Sequence, residues 1–203
     1  MRRLTVFNSI SLDGFISDTG GDMSWAHKPT KDPEWSAFVA GNAKGGGELL
    51  FGRVTYDMMA FYWASPQAAK NDALVAERMN ALAKVVFSRT MDKASWSNTR
   101  LVKGDLPGEV RKLKKEGGPD MVILGSASIV SQLSQENLID EYQLVVIPVL
   151  LGGGKSMFAG VSSRPSLKLA GCREFKNGNV LLRYAASPEG VGTAAGPLRP
   201  PGA

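Results

Sequence analysis

Apolar and polar positions alternate with period two in some stretches of this chain and recur with a helical period in others, and the two kinds take turns. Leu4–Ser11, Glu48–Phe51, Lys84–Ser88, Asp120–Leu124 and Glu141–Val149 are short, apolar and rich in β-branched residues, so they are predicted strands. Pro33–Asn42, Val54–Tyr62, Gln67–Ala83, Leu106–Glu116 and Ser128–Gln135 carry the helical pattern. Strands that alternate with helices predict an α/β fold with a mostly parallel sheet and helices on both faces. Two further strands, Leu167–Glu174 and Asn179–Tyr184, flank Lys176-Asn177-Gly178, whose Asn-Gly pair is a hairpin signal. That hairpin would add antiparallel strands at one edge and make the sheet mixed.

The chain has 203 residues, enough for one domain with a sizeable core. From Ser187 to Ala203 it is rich in Gly, Pro and Ala without apolar periodicity, so a disordered tail is expected beyond a domain of residues 1–186. No apolar run reaches the roughly 18 residues of a membrane span, and Asn8, Ser9, Ser11 and Asp13 interrupt the first apolar stretch in a way that suits a strand rather than a signal peptide. A single cysteine, Cys172, excludes a disulfide within the chain. With one histidine, His27, it also excludes a Cys/His zinc site, so no metal is expected and a reducing, cytoplasmic setting is. The net charge of +5 attracts anions in general. The densest basic run, Arg111 to Lys115, reads as the solvated face of a helix, and neither a nucleic-acid nor a membrane partner is expected.

Ligands of open α/β sheets bind beyond the carboxyl ends of the strands, so the segments after each strand are the candidates for chemistry. Gly52-Arg53-Val54-Thr55 joins a strand to a helix start, where free backbone N–H groups, a cation and a hydroxyl suit a phosphate. Ser88-Arg89-Thr90 ends another strand, and an arginine there suits a ribose 2′-phosphate. Gly125-Ser126-Ala127-Ser128 is a small-residue turn into a helix; it can cradle a pyrophosphate through its amides or simply cap the helix. Gly152-Gly153-Gly154-Lys155 imitates the end of a Walker A loop, but Val149 stands where that motif needs its first glycine; the glycines would instead let a ligand lie against backbone.

The first strand runs into Ser11-Leu12-Asp13-Gly14 and then a long loop to Trp25, which would stack on a flat ring or anchor the loop. Asp32-Pro33 reads as an N-cap followed by a first helical residue. Glu34 shares a helix face with Phe38, so it is either a partly buried proton donor or a complement to the helix dipole.

The ordered set Ser-Leu-Asp-Gly-Phe-Ile from 11, Gly-Arg-Val-Thr-Tyr from 52, Val-Phe-Ser-Arg-Thr from 86, Ile-Leu-Gly-Ser-Ala from 123 and Pro-Val-Leu-Leu-Gly-Gly-Gly from 148 resembles the dihydrofolate reductase-like superfamily. Within it, the chain is most similar to the reductase domain of the bifunctional riboflavin-biosynthesis deaminase-reductase and its stand-alone relatives. The resemblance implies a three-layer fold with an eight-stranded mixed sheet, NADPH as hydride donor, a small-molecule substrate and a homodimer. It implies the pyrophosphate near Gly52–Thr55 and Gly125–Ser128, and the 2′-phosphate near Ser88 and Arg89. It implies the substrate between the Ser11–Ile16 strand end, the first helix and the Gly152–Gly154 loop, so that Ser11, Asp13, Gly153 and Gly154 join Trp25 as candidate contacts; from charge alone, Lys155 or another basic residue would meet a substrate phosphate. Glu34 falls where dihydrofolate reductases carry a buried acid, with Asp32 and Asp13 as rival proton donors. The implied reaction is that of a 5-amino-6-(5-phosphoribosylamino)uracil reductase; a pterin, folate or other small-carbonyl reductase, or a non-catalytic nucleotide-binding relative, are the alternatives. A deaminase half is excluded, because its H-x-E…P-C-x-x-C zinc set cannot be built from one cysteine and one histidine.

Overall fold

The computed structural model describes residues 1–27, 32–44 and 47–187. In chain order these form β1 (Leu4–Ser11), β2 (Phe15–Ser17), a 3-10 turn (Ser24–His27), α1 (Pro33–Lys44), β3 (Glu48–Gly52), α2 (Arg53–Trp63), α3 (Pro66–Asn71), α4 (Ala73–Ala81), β4 (Lys84–Phe87) and β5 (Thr99–Val102). There follow α5 (Leu106–Lys115), β6 (Met121–Leu124), α6 (Ala127–Gln135), β7 (Glu141–Ile147), β8 (Lys155–Ser156), β9 (Leu167–Glu174) and β10 (Val180–Ala186). The tail from 188 onward lies outside the described residues.

Eight strands form one sheet in the order β5-β4-β3-β6-β1-β7-β10-β9. The strands from β5 to β7 are parallel, while β10 and β9 run antiparallel at one edge, as the Asn-Gly hairpin requires. The period-two pattern sorts each strand onto two faces. Leu4, Val6, Leu50, Val85 and Ile123 pack under α5 and α6, whereas Leu49, Phe51 and Val86 pack with Tyr56, Val75 and Met79 of α2 and α4 on the other face. Fully burying a leucine or isoleucine of this kind contributes about 1.5–3 kcal/mol. The chain leaves β1, skips a place to β3, moves out to β5, and returns to insert β6 between β3 and β1. The helices that follow β3 and β6 therefore lie on opposite faces, and their N-termini open toward each other at the carboxyl ends of the strands.

Most predicted elements stand within a few residues of their expected ends. The stretch Gln67–Ala83 is two helices rather than one, because the Asp72 side chain turns back to accept from Val75 N and caps α4. Edge strand β5 carries only Leu101 and Val102 as apolar residues and escaped the pattern. The basic run does form an exposed helix face, except that Lys114 is buried and bonds Leu138 O and Asp140.

A second, two-stranded sheet pairs β2 with β8. It brings the glycine loop against the segment after β1. A Cβ added at Gly154, whose φ is +137°, would fall on the Ser17 carbonyl and lie 2.9 Å from Asp18 Cα. Gly154→Ala is therefore expected to destabilise the protein by about 1–3 kcal/mol in a calorimetric melt. Gly153→Ala, whose Cβ would only touch Thr19 Cγ2 at 3.4 Å, is expected to stay within about 0.5 kcal/mol of the parent.

Candidate functional site

β1 outruns β6 at its carboxyl end, where Phe7 pairs with Leu124 and the next residue is Asn8. The buried Asn8 amide continues the pairing in place of a strand. Its Nδ2 donates to Gly125 O at 3.1 Å, and Gly125 N donates to its Oδ1 at 2.6 Å. Held in this way, Gly125 and Ser126 both take left-handed conformations, with φ of +60° and +53°. Glycine is required at the first of them, because a Cβ would lie 2.8 Å from Thr55 Cγ2. Ser126 then joins the two strand-to-helix turns. Gly52 N donates to its Oγ at 3.0 Å, and its own N–H donates to Thr55 Oγ1 at 3.0 Å. Each hydroxyl spends an acceptor site on backbone and keeps its proton free to donate to a ligand.

The first turns of α2 and α6 differ from the other α-helix starts. Asp32, Ser65, Asp72 and Asp105 each accept backbone N–H groups at the starts of α1, α3, α4 and α5. Gly52 and Ser126, before α2 and α6, make no such side-chain cap. Their orphan N–H groups and positive dipole ends face a cavity of about 340 Å³, which also receives Arg53, Arg89 and Lys155. Among the described residues that line it there is no carboxylate. Arg53 lies 3.3 Å from Asp57 across one helical turn, with both side chains half exposed, so a ligand can compete for it. The Ser88 hydroxyl accepts from Thr90 N and Met91 N and shapes the turn that presents Arg89. The described lining of this cavity is thus basic and rich in backbone and hydroxyl donors, the chemistry that suits an anion.

Thr55 and Ser126 also line a second cavity of about 500 Å³, so the two cavities adjoin at these residues. The second part is apolar in character, with Phe7, Ile16, Met23, Met58, Met59 and Leu124 on its walls. Among its described lining residues the one carboxylate is the exposed Asp22, which accepts from Ser24 Oγ at 2.6 Å and Ser24 N at 3.0 Å. The Ser24 hydroxyl and amide outweigh desolvation and hold its pKa below 3.8, so it is an ionised acceptor. His27 also lines this cavity, and desolvation lowers its pKa from 6.5.

The structure brings Gly52, Arg53, Thr55, Ser88, Arg89, Ser126 and Ser128 together on the first cavity and puts Gly125 on the second. Thr90 lies in the turn beside them, and Ala127 is packed into the core at the start of α6. Other expectations need correction. Glu34 is not a partly buried acid: its side chain is 55% exposed and lies 3.8 Å from Arg173, because the first turn of α1 presents it outward while Phe38 packs with Trp35 and Phe175. Asp32 is buried, but its carboxylate is committed to Glu34 N, Trp35 N and Asn177 N. Burial acts to raise its pKa, yet these amides and Lys176 hold it below 3.8, so it is a cap and a poor proton donor.

Asp13 is likewise held low, by the Ser11 hydroxyl against desolvation and then by the amides of Gly152 and Leu151. It fastens the glycine loop to the end of β1 rather than facing either cavity. Ser11 is fully buried, with its hydroxyl used by Asp13 and Phe15 N. Trp25 is not a free stacking surface: it packs against Val145, Ile147, Phe175 and Leu181 and donates from Nε1 to Asp22 O. Gly153 and Gly154 pack against the β2 segment. Lys155 faces the basic cavity rather than the apolar one. Sequence reasoning missed the roles of Asn8, Asp22 and the methionines; Asn8 stood out only as one of several polar residues in β1.

The profile of the RibD C-terminal domain family matches residues 2–181. The protein YyaP of Bacillus subtilis (strain 168) is 30% identical over 183 residues, which cover 90% of this chain and 94% of that one. The crystal structure of a "Putative riboflavin biosynthesis protein" from Shewanella sp. PV-4 superposes with a TM-score of 0.73 at 26% identity, over 91% of this chain and 99% of the other. Two more distant crystal structures share the fold. One is the diaminohydroxyphosphoribosylaminopyrimidine deaminase/5-amino-6-(5-phosphoribosylamino)uracil reductase of Thermotoga maritima, with TM-score 0.65, 15% identity, and 92% of this chain against 57% of that one. The other is the dihydrofolate reductase of Enterococcus faecalis complexed with NADP(H), with TM-score 0.60, 14% identity, and 91% of this chain against 96% of that one. The fold is thus dihydrofolate reductase-like.

Removing the Asn8 side chain leaves Gly125 N and O without their partners. Asn8→Ala is expected to cost about 2–3 kcal/mol in urea unfolding, near the upper end for unpaired buried backbone groups. The Asp13 staple makes a pH-dependent contribution. Its folded pKa lies below the ordinary 3.8, so the stabilisation is complete above that value and fades as pH falls through the folded pKa. Melting curves of the parent and Asp13→Asn should therefore stay apart at neutral pH and converge in acid.

Proposed function

The chain belongs to the RibD C-terminal domain family, and from that premise we propose that it is an NADPH-dependent oxidoreductase acting on a small heterocyclic substrate. The observation that carries this reading is the pair of uncapped helix N-termini that open, with three cations and no carboxylate among the described lining residues, onto a cavity that adjoins an apolar one. Thr55, Ser126, Ser128 and the first-turn amides of α2 and α6 would hold the pyrophosphate. Arg89, with the Ser88 turn, would hold the 2′-phosphate and so select NADPH over NADH. That NADP(H) accompanies the Enterococcus faecalis protein of the same fold supports this placement.

When bound, NADPH supplies the hydride from nicotinamide C4 to a C=N or C=O carbon of the substrate. The chain's part is position and solvent control. Thr55 and Ser126 stand where the two cavities meet and orient the ring. The apolar walls keep bulk water from the reacting carbon. With Glu34 at the surface and Asp13 engaged in its loop, the balancing proton comes from a water at the cavity mouth beside Asp22 and His27.

The reductase unit spans residues 1–186 and works as a homodimer in the cytoplasm. The outer edge of β9, which pairs with no other strand among the described residues and exposes Leu167 and Leu169, offers a surface for the second copy. No helix among the described residues is long and apolar enough to cross a membrane.

Calorimetric titration with NADPH and NADH tests the cofactor assignment. Arg89→Ala is expected to weaken NADPH about tenfold to a hundredfold, the value of a charged hydrogen bond of about 1.5–3 kcal/mol. NADH binding should change by less than about twofold. A protein that binds neither nucleotide at about 1 mM is not a reductase. One that binds NADPH but reduces no acceptor is a nucleotide-binding relative without the chemistry.

A further inference from the structure

Parallel strands are usually joined by a helix, but β4 and β5 are joined by the irregular segment 88–98. It carries Arg89 at the carboxyl end of β4, where that arginine lines the basic cavity, and then runs back across the sheet to the amino end of β5. A crossover without a helix has no hydrogen-bond ladder of its own, so its course is set by what it touches. At its near end Ser88 N donates to Val102 O, and in its middle Met91 and Ala94 pack on Leu49, Phe51 and Val86. Its far end is held at the buried Trp96. Trp96 N donates to the Tyr56 hydroxyl of α2 at 2.7 Å, and Trp96 Nε1 donates to Asn80 Oδ1 of α4 at 2.6 Å. The ammonium of the buried Lys84 stands 4.5 Å from the centre of the indole and donates to the carbonyls of Asn80, Leu82 and Ser97 at 3.1, 2.6 and 3.2 Å.

Tyr56 is fully buried and directly follows Thr55, which lines the basic cavity with Arg53. One helix thus offers its first turn to that cavity and, a residue later, grips the crossover that brings Arg89 to the same place. We propose that Tyr56 and Trp96 are positioning residues for NADPH: their hydrogen bond fixes Arg89 relative to the first turn of α2, and with it the match to a dinucleotide that carries a 2′-phosphate. The inference rests on the cofactor assignment above and deepens it. Neither residue lines the basic or the apolar cavity. They act through Arg89, an exposed residue whose place is set by the segment that bears it. Removing the Tyr56 hydroxyl leaves Trp96 N without its acceptor and lets the segment shift against α2. The ring contacts of Trp96 with Phe51 and Tyr56, both 6.1 Å between centroids, remain and keep the core closed. NADH has no 2′-phosphate for Arg89 to meet and is indifferent to the shift.

The test is a double-mutant cycle on the full chain, with NADPH and NADH titrated calorimetrically into the parent, Tyr56→Phe, Arg89→Ala and the double variant. Tyr56→Phe is expected to weaken NADPH about threefold to tenfold, less than Arg89→Ala does, and to change NADH by less than about twofold. In the Arg89→Ala background the same substitution should change NADPH by less than about twofold, because a residue that acts through Arg89 has nothing left to position. Trp96→Phe, which keeps a ring and the backbone bond but loses the Nε1 bond to Asn80, should give the same pattern and carries the test if Tyr56→Phe does not fold. Equal losses for the two nucleotides, unchanged NADPH binding in the single variant, or an undiminished loss when Arg89 is absent would overturn the inference. Failure of the cofactor reading shows separately, as a parent that binds no NADPH or an Arg89→Ala variant that binds it as tightly, and takes the inference with it.

Discussion

Two hydrogen bonds at Ser126, one accepted from Gly52 N and one donated to Thr55 Oγ1, tie together turns that lie 71 and 74 positions away along the chain. They exist because the order of strands sets β3 beside β6, and because Asn8 holds Gly125 so that the next residue can adopt a left-handed conformation. A non-glycine residue in that region is uncommon and costs free energy that neighbouring contacts must offset. What the joint secures is a pair of helix starts, from opposite faces of the sheet, fixed at one opening without a side-chain cap on either first turn. If the joint were lost, the sheet would still form, but the basic cavity would have no fixed shape.

The electrostatics follow from the same arrangement. The other α-helices satisfy their first turns with Asp or Ser side chains, which also places negative charge or lone pairs where an anion would sit. Leaving α2 and α6 uncapped keeps those positions open, and the three cations around them give that cavity a positive field that favours an anion. Across Thr55 and Ser126 the character reverses to methionine, phenylalanine and a single carboxylate. The two adjoining cavities thereby present opposite chemistry, one basic and one apolar.

Much of the fold was legible in the sequence because it rests on period: β1 and β9 match their predicted bounds, and the Asn177-Gly178 turn marks the antiparallel edge. The split at Asp72 was not, since a capping aspartate inside an apolar helical pattern resembles any exposed polar residue. That Gly52, Arg53, Ser88, Arg89 and Ser126 line one cavity was legible as well, because glycine, serine and arginine after a strand have a local meaning. The make-up of the adjoining apolar cavity was not. Glu34 and Trp25 were picked for their residue types, whereas their roles turn on which way α1 and the loop before it face. Asp22, Met58 and Asn8 meet only in three dimensions, across separations that no local pattern encodes.

The most direct measurement is a crystal structure of the protein with NADP⁺. The account predicts the pyrophosphate between the first turns of α2 and α6, the 2′-phosphate against Arg89, and the nicotinamide at the junction formed by Thr55 and Ser126. A dinucleotide seated on any other part of the sheet, or a cofactor whose phosphates make no contact with those two helix starts, would contradict it.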